Sequence, residues 1–375
     1  MRLTTLRLKQ FRNHPDSRFE FGDGTNVLVG GNGQGKTNVI EAISYLCLTK
    51  SFFAGSDSLA VMFGTESFEV SGRMCADSGV PADVRVAYAG TPGEKTFSIN
   101  RHPAEPLSSV IGRFPVVVCS PEHAPITSQG PSERRRFIDL VVSQSSANYF
   151  QHLLEYRRVL RQRNKMLLDA KISRNGDASA LEPWNEQLAA HGGQVIAKRR
   201  EFVAEFGGYV SSAYHRLTGD PEEPALAYRP AAAIGEADGA GEISDALRSE
   251  IRARETEERR MGTSLVGPHR DEFPMTINGS DLRKYASQGQ HKTFLIALKV
   301  GEFFYLQERC RETPIVLLDD VFGELDDDRS DRLLGFLGTL SQSFITSTHG
   351  RIFPAPAAGD GRDRIFRIRN GACEV

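Results

Sequence analysis

The chain lacks what would place it in a membrane or outside the cell. No apolar run approaches the ~20 residues of a membrane-spanning helix. The opening MRLTTLRLKQF alternates like a strand and has no apolar centre of the signal-peptide kind. Five cysteines, at positions 47, 75, 119, 310 and 373, are odd in number, scattered and without a C-x-x-C pair. That pattern argues against a disulfide framework or a thiolate metal site and reads as reduced thiols in a cytoplasmic protein. A charge of one sign is missing too: 46 Lys and Arg face 48 Asp and Glu, a formal −2, so any nucleic-acid surface has to be local. Internal repeats and long low-complexity segments are absent. A length of 375 residues is large for one core and points to two or three lobes.

What is present begins with GGNGQGKTNVIEAI, residues 30–43. It fits Gly30-x-x-x-x-Gly35-Lys36-Thr37, the spacing in which backbone N–H groups wrap phosphates. Gly31, Gly33 and Gly35 permit close backbone approach, and the following helix adds its positive N-terminal end. Lys36 is expected on the β- and γ-phosphates and the Thr37 hydroxyl on Mg²⁺. The full phosphate cradle runs over Gly30, Gly31, Asn32, Gly33, Gln34, Gly35, Lys36, Thr37 and Asn38. An apolar strand-like run (TNVLVG) precedes it, and Val39, Ile40 and Ile43 recur at helical spacing after it.

Around this motif the first lobe reads as strand-rich: SFEVSGRM (67–74), ADVRVAY (82–88), KTFSIN (95–100) and the apolar PVVVC (115–119) are separated by Gly and Pro turns. From Pro131 the period becomes helical. Two helical runs flank the polar segment 171–183, predicting a hairpin with arms of about twenty to thirty residues, roughly 30–45 Å each. Loops over 219–242, a charged helix over 244–261 and an Asn278-Gly279 hairpin turn follow. The expected fold class is α/β, a P-loop ATPase head with a mixed sheet and an inserted helical lobe. Its boundaries are placed at 1–130, 131–262 and 263–375.

The last third carries a second constellation. IVLLDD (315–320) is an apolar strand ending in two carboxylates. Asp319 is expected to hold Mg²⁺, and Asp320 to polarise the attacking water. Ser287, Gly289 and Gln290 lie in SQGQ at the start of a helix, an anion-binding position. ELD (324–326) and TSTH (346–349), ending in His349, come after. This order resembles that of ABC-type ATPases. The resemblance implies that Ser287 completes the ATP site of a second subunit and that His349 touches the γ-phosphate. A GTPase would need an N-K-x-D guanine reader, which NKML at 164–167 does not supply.

Over nearly its whole length the chain resembles the RecF family of bacterial recombination mediators, relatives of the structural-maintenance-of-chromosomes ATPases. LRLKQFRNH (6–14), NGQGKTNVIEAI (32–43), TKSF (49–52), SPEHAPITSQGPSERRRFID (120–139), GPHRDEF (267–273), SQGQ (287–290) and LLDDVFGELD (317–326) carry it in order. Phe53, Gly323 and His291 depart from the family pattern. The resemblance implies an ATP-dependent homodimer that clamps double-stranded DNA, a slow ATPase used as a switch, and RecR and RecO as partners in loading RecA at single-strand gaps. It also puts Arg12 on phosphate and Asn13 beside the nucleotide. An ABC-type subunit of a transporter-like assembly, not acting on DNA, is the alternative.

Residues 149–175 hold seven basic and two acidic side chains. Arg157, Arg161 and Lys165 are the expected DNA-phosphate contacts on this arm. GPHRD (267–271) reads either as a Gly-Pro turn with Arg270 and Asp271 paired or as a support for the signature helix.

Overall fold

The computed structural model describes residues 1–52, 55–173, 179–219, 221–324, 327–337, 342–348 and 362–374. Phe53 and His349 lie outside the described residues, as do Leu325 and Asp326. The chain divides into two compact units. The first comprises 1–124, 213–220 and 288–375, and the second 125–212 and 221–287.

The first unit holds two six-stranded sheets. One is antiparallel, in the order β2-β1-β4-β5-β6-β7. Its strands are β1 (Arg2–Phe11), β2 (His14–Glu20), β4 (Ser67–Cys75), β5 (Pro81–Ala89), β6 (Glu94–Ile99) and β7 (His102–Pro103). Leu6 and Leu8 of β1, Phe68 and Val70 of β4, Val84 and Val86 of β5 and Phe97 of β6 are buried. Arg7, Arg73 and Arg85 alternate with them on the polar face, each held by a carboxylate of the same sheet. A register shift between Leu3 and Thr5 lets Leu3 stay buried although it is three positions from Leu6.

The other sheet runs β15-β14-β3-β13-β12-β8. Here β3 (Thr25–Val29), β8 (Val116–Cys119), β12 (Ile315–Leu318), β13 (Ser343–Ser347) and β14 (Arg364–Arg369) are parallel, while β15 (Ala372–Glu374) is antiparallel to β14. Every residue of β8, β12 and β13 is buried, as parallel strands covered on both faces require. Helix α1 (Lys36–Leu48) packs against strands of both sheets, so its apolar residues are buried nearly all round.

The second unit holds α2 (Pro125–Ser128), α3 (Pro131–Ser145), α4 (Ala147–Ser173), most of α5 (Glu182–Thr218), α6 (Ala240–Met261) and α7 (Leu282–Tyr285), and α4, α5 and α6 share an apolar core that includes Tyr156, Val159, Leu188, Ile196, Leu247 and Ile251. The hairpin is unequal, 27 residues in α4 against 37 in α5. A three-stranded sheet in the order β11-β10-β9 joins β9 (Pro224–Leu226) to β10 (Met275–Ile277) and β11 (Ser280–Asp281). The Asn278-Gly279 turn forms as expected, both residues being left-handed at φ 51° and 75°.

Two sequence expectations change. The loop reading of 219–242 misses β9 and the first turn of α6. Residues 263–287, expected with the C-terminal part of the ATPase lobe, cluster with the helical unit. The cause is a buried network. Arg199 of α5 donates to Asp271 at 3.0 Å and to Asp139 of α3 at 2.7 Å, while Tyr228 also donates to Asp271 and Tyr149 to Asp139. Burial, then the neighbouring carboxylates, keep both tyrosines protonated and able to donate. Asp271 therefore pairs with Arg199, whereas Arg270 donates to the Ser264 carbonyl. His269, its pKa lowered by burial to about 4, contacts Tyr156. GPHRD is a core element of the helical unit.

Candidate nucleotide site

Parallel strands β3, β13 and β12 lie side by side and end on one edge, the place where open α/β sheets hold ligands. Gly30–Gly35 leaves β3 and Lys36 opens α1. Gly33 and Gly35 take φ 75° and 109°, which favours glycine. Space also forbids a side chain: a Cβ on Gly30 would lie 2.4 Å from the Ile368 carbonyl oxygen, and one on Gly35 2.5 Å from Asn13 Oδ1.

Lys36 Nζ donates to the carbonyls of Gly30 at 2.7 Å and Gly31 at 2.8 Å. Burial lowers its pKa, with Asp320 and Asp319 opposing the shift. Strand β12, one place beyond β13, contributes Asp319, whose Oδ1 accepts from the Thr37 hydroxyl at 2.9 Å and from the Thr346 hydroxyl at 2.8 Å. Burial raises the pKa of this carboxyl, and the two hydroxyls pull against it. Asp320, exposed and left-handed at φ 52°, donates its backbone N–H to Thr346 Oγ1 at 2.9 Å. Thr346, singled out only as part of TSTH, thus ties both aspartates to the central strand.

Thr37 and Asp319 bring a hydroxyl and a carboxylate oxygen together, the hard donors Mg²⁺ prefers. Among the described residues no cluster of three or more His, Cys, Asp or Glu gathers elsewhere as a metal site. The set suits a cation completed by phosphate oxygens and water more than a closed protein cage.

Asn13 and Asn38 meet beside the loop, Asn38 Nδ2 donating to Asn13 Oδ1 at 2.7 Å. Asn13 Nδ2 also reaches the Gly33 carbonyl at 3.4 Å. Arg12, expected on phosphate, is turned elsewhere: its guanidinium grips Glu41 of α1 through two bonds of 2.8 and 2.7 Å and donates to the Leu59 carbonyl. Ser287 is exposed, and α8 (Gln288–Cys310) starts immediately after it; Gly289 and Gln290 lie in its first turn. The unit boundary falls between Ser287 and Gln288, inside the signature string. His291 Nδ1 is buried without a hydrogen-bond partner among the described residues.

The basic arm is smaller than its composition suggests. Arg163 is fully buried and bonded to Glu258, Asn185 and Ser264. Arg157 is exposed but bonded to Asp139 at 2.8 Å. Arg161 and Lys165 are exposed one turn apart. Sequence reasoning also missed His14, fully buried with Nε2 3.1 Å from the Gly35 carbonyl oxygen. A histidine two residues after an arginine carries no signal of such a contact until β2 is placed under the loop.

Strand, glycine loop, helix and an acid-ended strand set one place beyond the intervening β13 define an ABC-type P-loop ATPase head. The family model described as the RecF/RecN/SMC N terminal domain matches residues 2–370. DNA replication and repair protein RecF of Salinibacter ruber is 40% identical over 376 residues, covering 99% of this chain and 91% of that one. RecF of Chloroherpeton thalassium is 42% identical, with 94% and 96% covered. Among solved structures, that of the recombination mediator protein RecF-ATP in the RecFOR pathway matches with a TM-score of 0.90 and 32% identity, over 99% of this chain and 96% of the other. The chain belongs to the RecF family. No helix among the described residues is long and apolar enough to cross a membrane.

Proposed function

We propose that this chain is an ATP-gated clamp on double-stranded DNA, serving recombinational repair and replication restart with the RecR and RecO proteins of the RecFOR pathway. The observation that carries the reading is the joining of Thr37 and Asp319 beside Lys36 on a chain whose relative is solved as RecF-ATP. Lys36 holds the β- and γ-phosphates. Thr37 and Asp319 hold Mg²⁺, which neutralises phosphate charge when bound. Asp320 orients the attacking water, and His349 senses the γ-phosphate. Asn13 and Asn32 to Asn38 complete the cradle. Ser287, Gly289 and Gln290 come from the second copy, so ATP closes a homodimer and slow hydrolysis opens it. Arg12 reaches phosphate only after leaving Glu41. Arg161 and Lys165, with Arg157 in a lesser part, meet DNA phosphates.

The shared site is tested by mixing two inactive variants. Lys36→Ala loses phosphate binding, and Ser287→Arg blocks closure. In a mixed dimer both lesions fall in one site and leave the other intact, as two-fold symmetry requires. About a quarter of wild-type ATPase activity should return in a random mixture when one site works alone. Activity no greater than the sum of the separate variants, with mixed dimers shown to form, and wild-type/variant dimers shown to keep one working site, would refute the composite site.

A further inference from the structure

The turn between β14 and β15 is tied to the phosphate loop from two sides. Asn370 and Gly371 are both left-handed, at φ 48° and 72°, as a tight two-residue hairpin demands. The Asn370 N–H donates to Gln34 Oε1 at 2.6 Å, and the Gly371 N–H donates to the Gln34 carbonyl at 2.9 Å. The approach leaves no room for a side chain, because a Cβ on Gly371 would lie 1.9 Å from the Asn13 carbonyl oxygen.

The second tie passes beneath the loop. The Gly35 carbonyl, 3.1 Å from His14 Nε2, can only accept, so Nε2 carries the imidazole proton. Burial lowers the pKa of His14 and keeps the ring neutral. Its unprotonated Nδ1 lies 2.9 Å from Ser17 Oγ, whose single proton goes to the Gly371 carbonyl at 2.6 Å. Gln34, Gly35, His14, Ser17 and Gly371 thus close a ring of hydrogen bonds and one imidazole–hydroxyl contact.

The ring fixes direction. In a planar trans peptide the N–H points opposite to the preceding C=O. Holding the Gln34 carbonyl on the hairpin turn aims the Gly35 N–H the other way. Holding the Gly35 carbonyl between His14 and the Val39 N–H of α1, at 3.1 and 3.3 Å, does the same for the Lys36 N–H. We propose that the Asn370–Gly371 turn and the His14–Ser17 pair are positioning residues for the phosphate loop, presetting these two N–H groups for the phosphates of a nucleoside triphosphate. The proposal rests on the reading of residues 30–37 as a phosphate cradle. The loop meets its ligand preorganised, so the ring acts on binding shared by ground and transition states.

The test uses the full chain with Mg²⁺ and a fluorescent ATP analogue, together with steady-state hydrolysis of ATP. His14→Ala and Gly371→Ala should raise Kd and KM about tenfold or more, with kcat changed far less. His14→Gln, which returns an N–H to the Gly35 carbonyl, should recover most of the affinity. Ser17→Ala removes one hydroxyl and should cost about threefold in Kd; it decides the matter where Gly371→Ala fails to fold. Unchanged Kd in folded His14→Ala and Ser17→Ala overturns the proposal. Lys36→Ala separates the two readings. If it binds the analogue as wild type does, the phosphate cradle itself is wrong. If it loses binding while the ring variants keep theirs, only the ring is wrong.

Discussion

Lys36 and Arg163 are both buried cations, 8% and 0% exposed, in surroundings of opposite kinds. Arg163, in the helical unit, meets Glu258 in an ion pair and adds the amide of Asn185 and the hydroxyl of Ser264. Glu258 in turn accepts the Leu265 N–H. Among the described residues Lys36 meets backbone carbonyls of its own loop, and Asp319 opposite it meets two neutral hydroxyls. One region spends its donors and acceptors on itself, while the other keeps charge in reserve. A buried charge that the fold satisfies holds structure; one that the fold leaves half-satisfied is placed for a ligand.

Three perturbations sharpen or break that contrast. Arg163→Met should produce the largest effect, a loss of about 3–5 kcal/mol in urea unfolding, because Glu258 is left as an uncompensated buried charge. Replacing Glu258 by Met as well should recover most of the loss. Equal losses in the single and double variants would mean that volume, not charge, dominates there.

Asp319→Asn should act in the opposite direction on stability. The raised pKa means that the native state holds this proton more tightly than the unfolded chain does. The ionised carboxylate therefore costs stability above its native pKa and costs nothing below its unfolded value. Calorimetry without nucleotide should show a higher Tm for the variant at pH 7, with the gain shrinking as pH falls through the raised carboxyl pKa. Mg²⁺-dependent ATP hydrolysis should be lost in the same protein. A lower Tm at pH 7 would place Asp319 with the structural charges.

The smallest effect separates the arginines of α4. Neutralising Arg157, Arg161 and Lys165 together should flatten the slope of log DNA affinity against log salt by about two, not three, since Arg157 already answers Asp139. An unchanged slope would move the DNA surface off this arm.

The same contrast explains what could be read in the sequence. The phosphate loop, the strand ending in Asp319 and the strands 67–75, 81–89 and 94–99 were legible because each is encoded by spacing within a few residues. The helical unit's network was not, because Asp139, Arg199, Tyr228 and Asp271 come from four separate segments and meet only after folding. Composition counted Arg163 as part of a basic surface, since a count cannot say which face of a helix is covered. The unit boundary moved to 287 for the same reason: Asp271 belongs with the residues that hold it. Thr346 and His14 escaped because hydroxyl and imidazole contacts to a loop leave no periodic trace.

The order of the parallel sheet has a consequence for synthesis on the ribosome. Strand β3 takes both hydrogen-bonded neighbours from the far end of the chain, with Thr25 opposite Ser343 and Asn26 opposite Arg364. At roughly 5–20 residues per second, it waits on the order of fifteen to sixty seconds for them to be made. The antiparallel sheet has no such delay, because β1, β2, β4, β5 and β6 all come from the first hundred residues. The N-terminal half of the head can therefore close early around α1, leaving Val27 and Leu28 without their sheet. Any nascent chain stopped before Ser343 carries a phosphate loop on an unpaired strand. The parallel sheet that carries the phosphate loop is therefore complete only once residues 364–367 have been made.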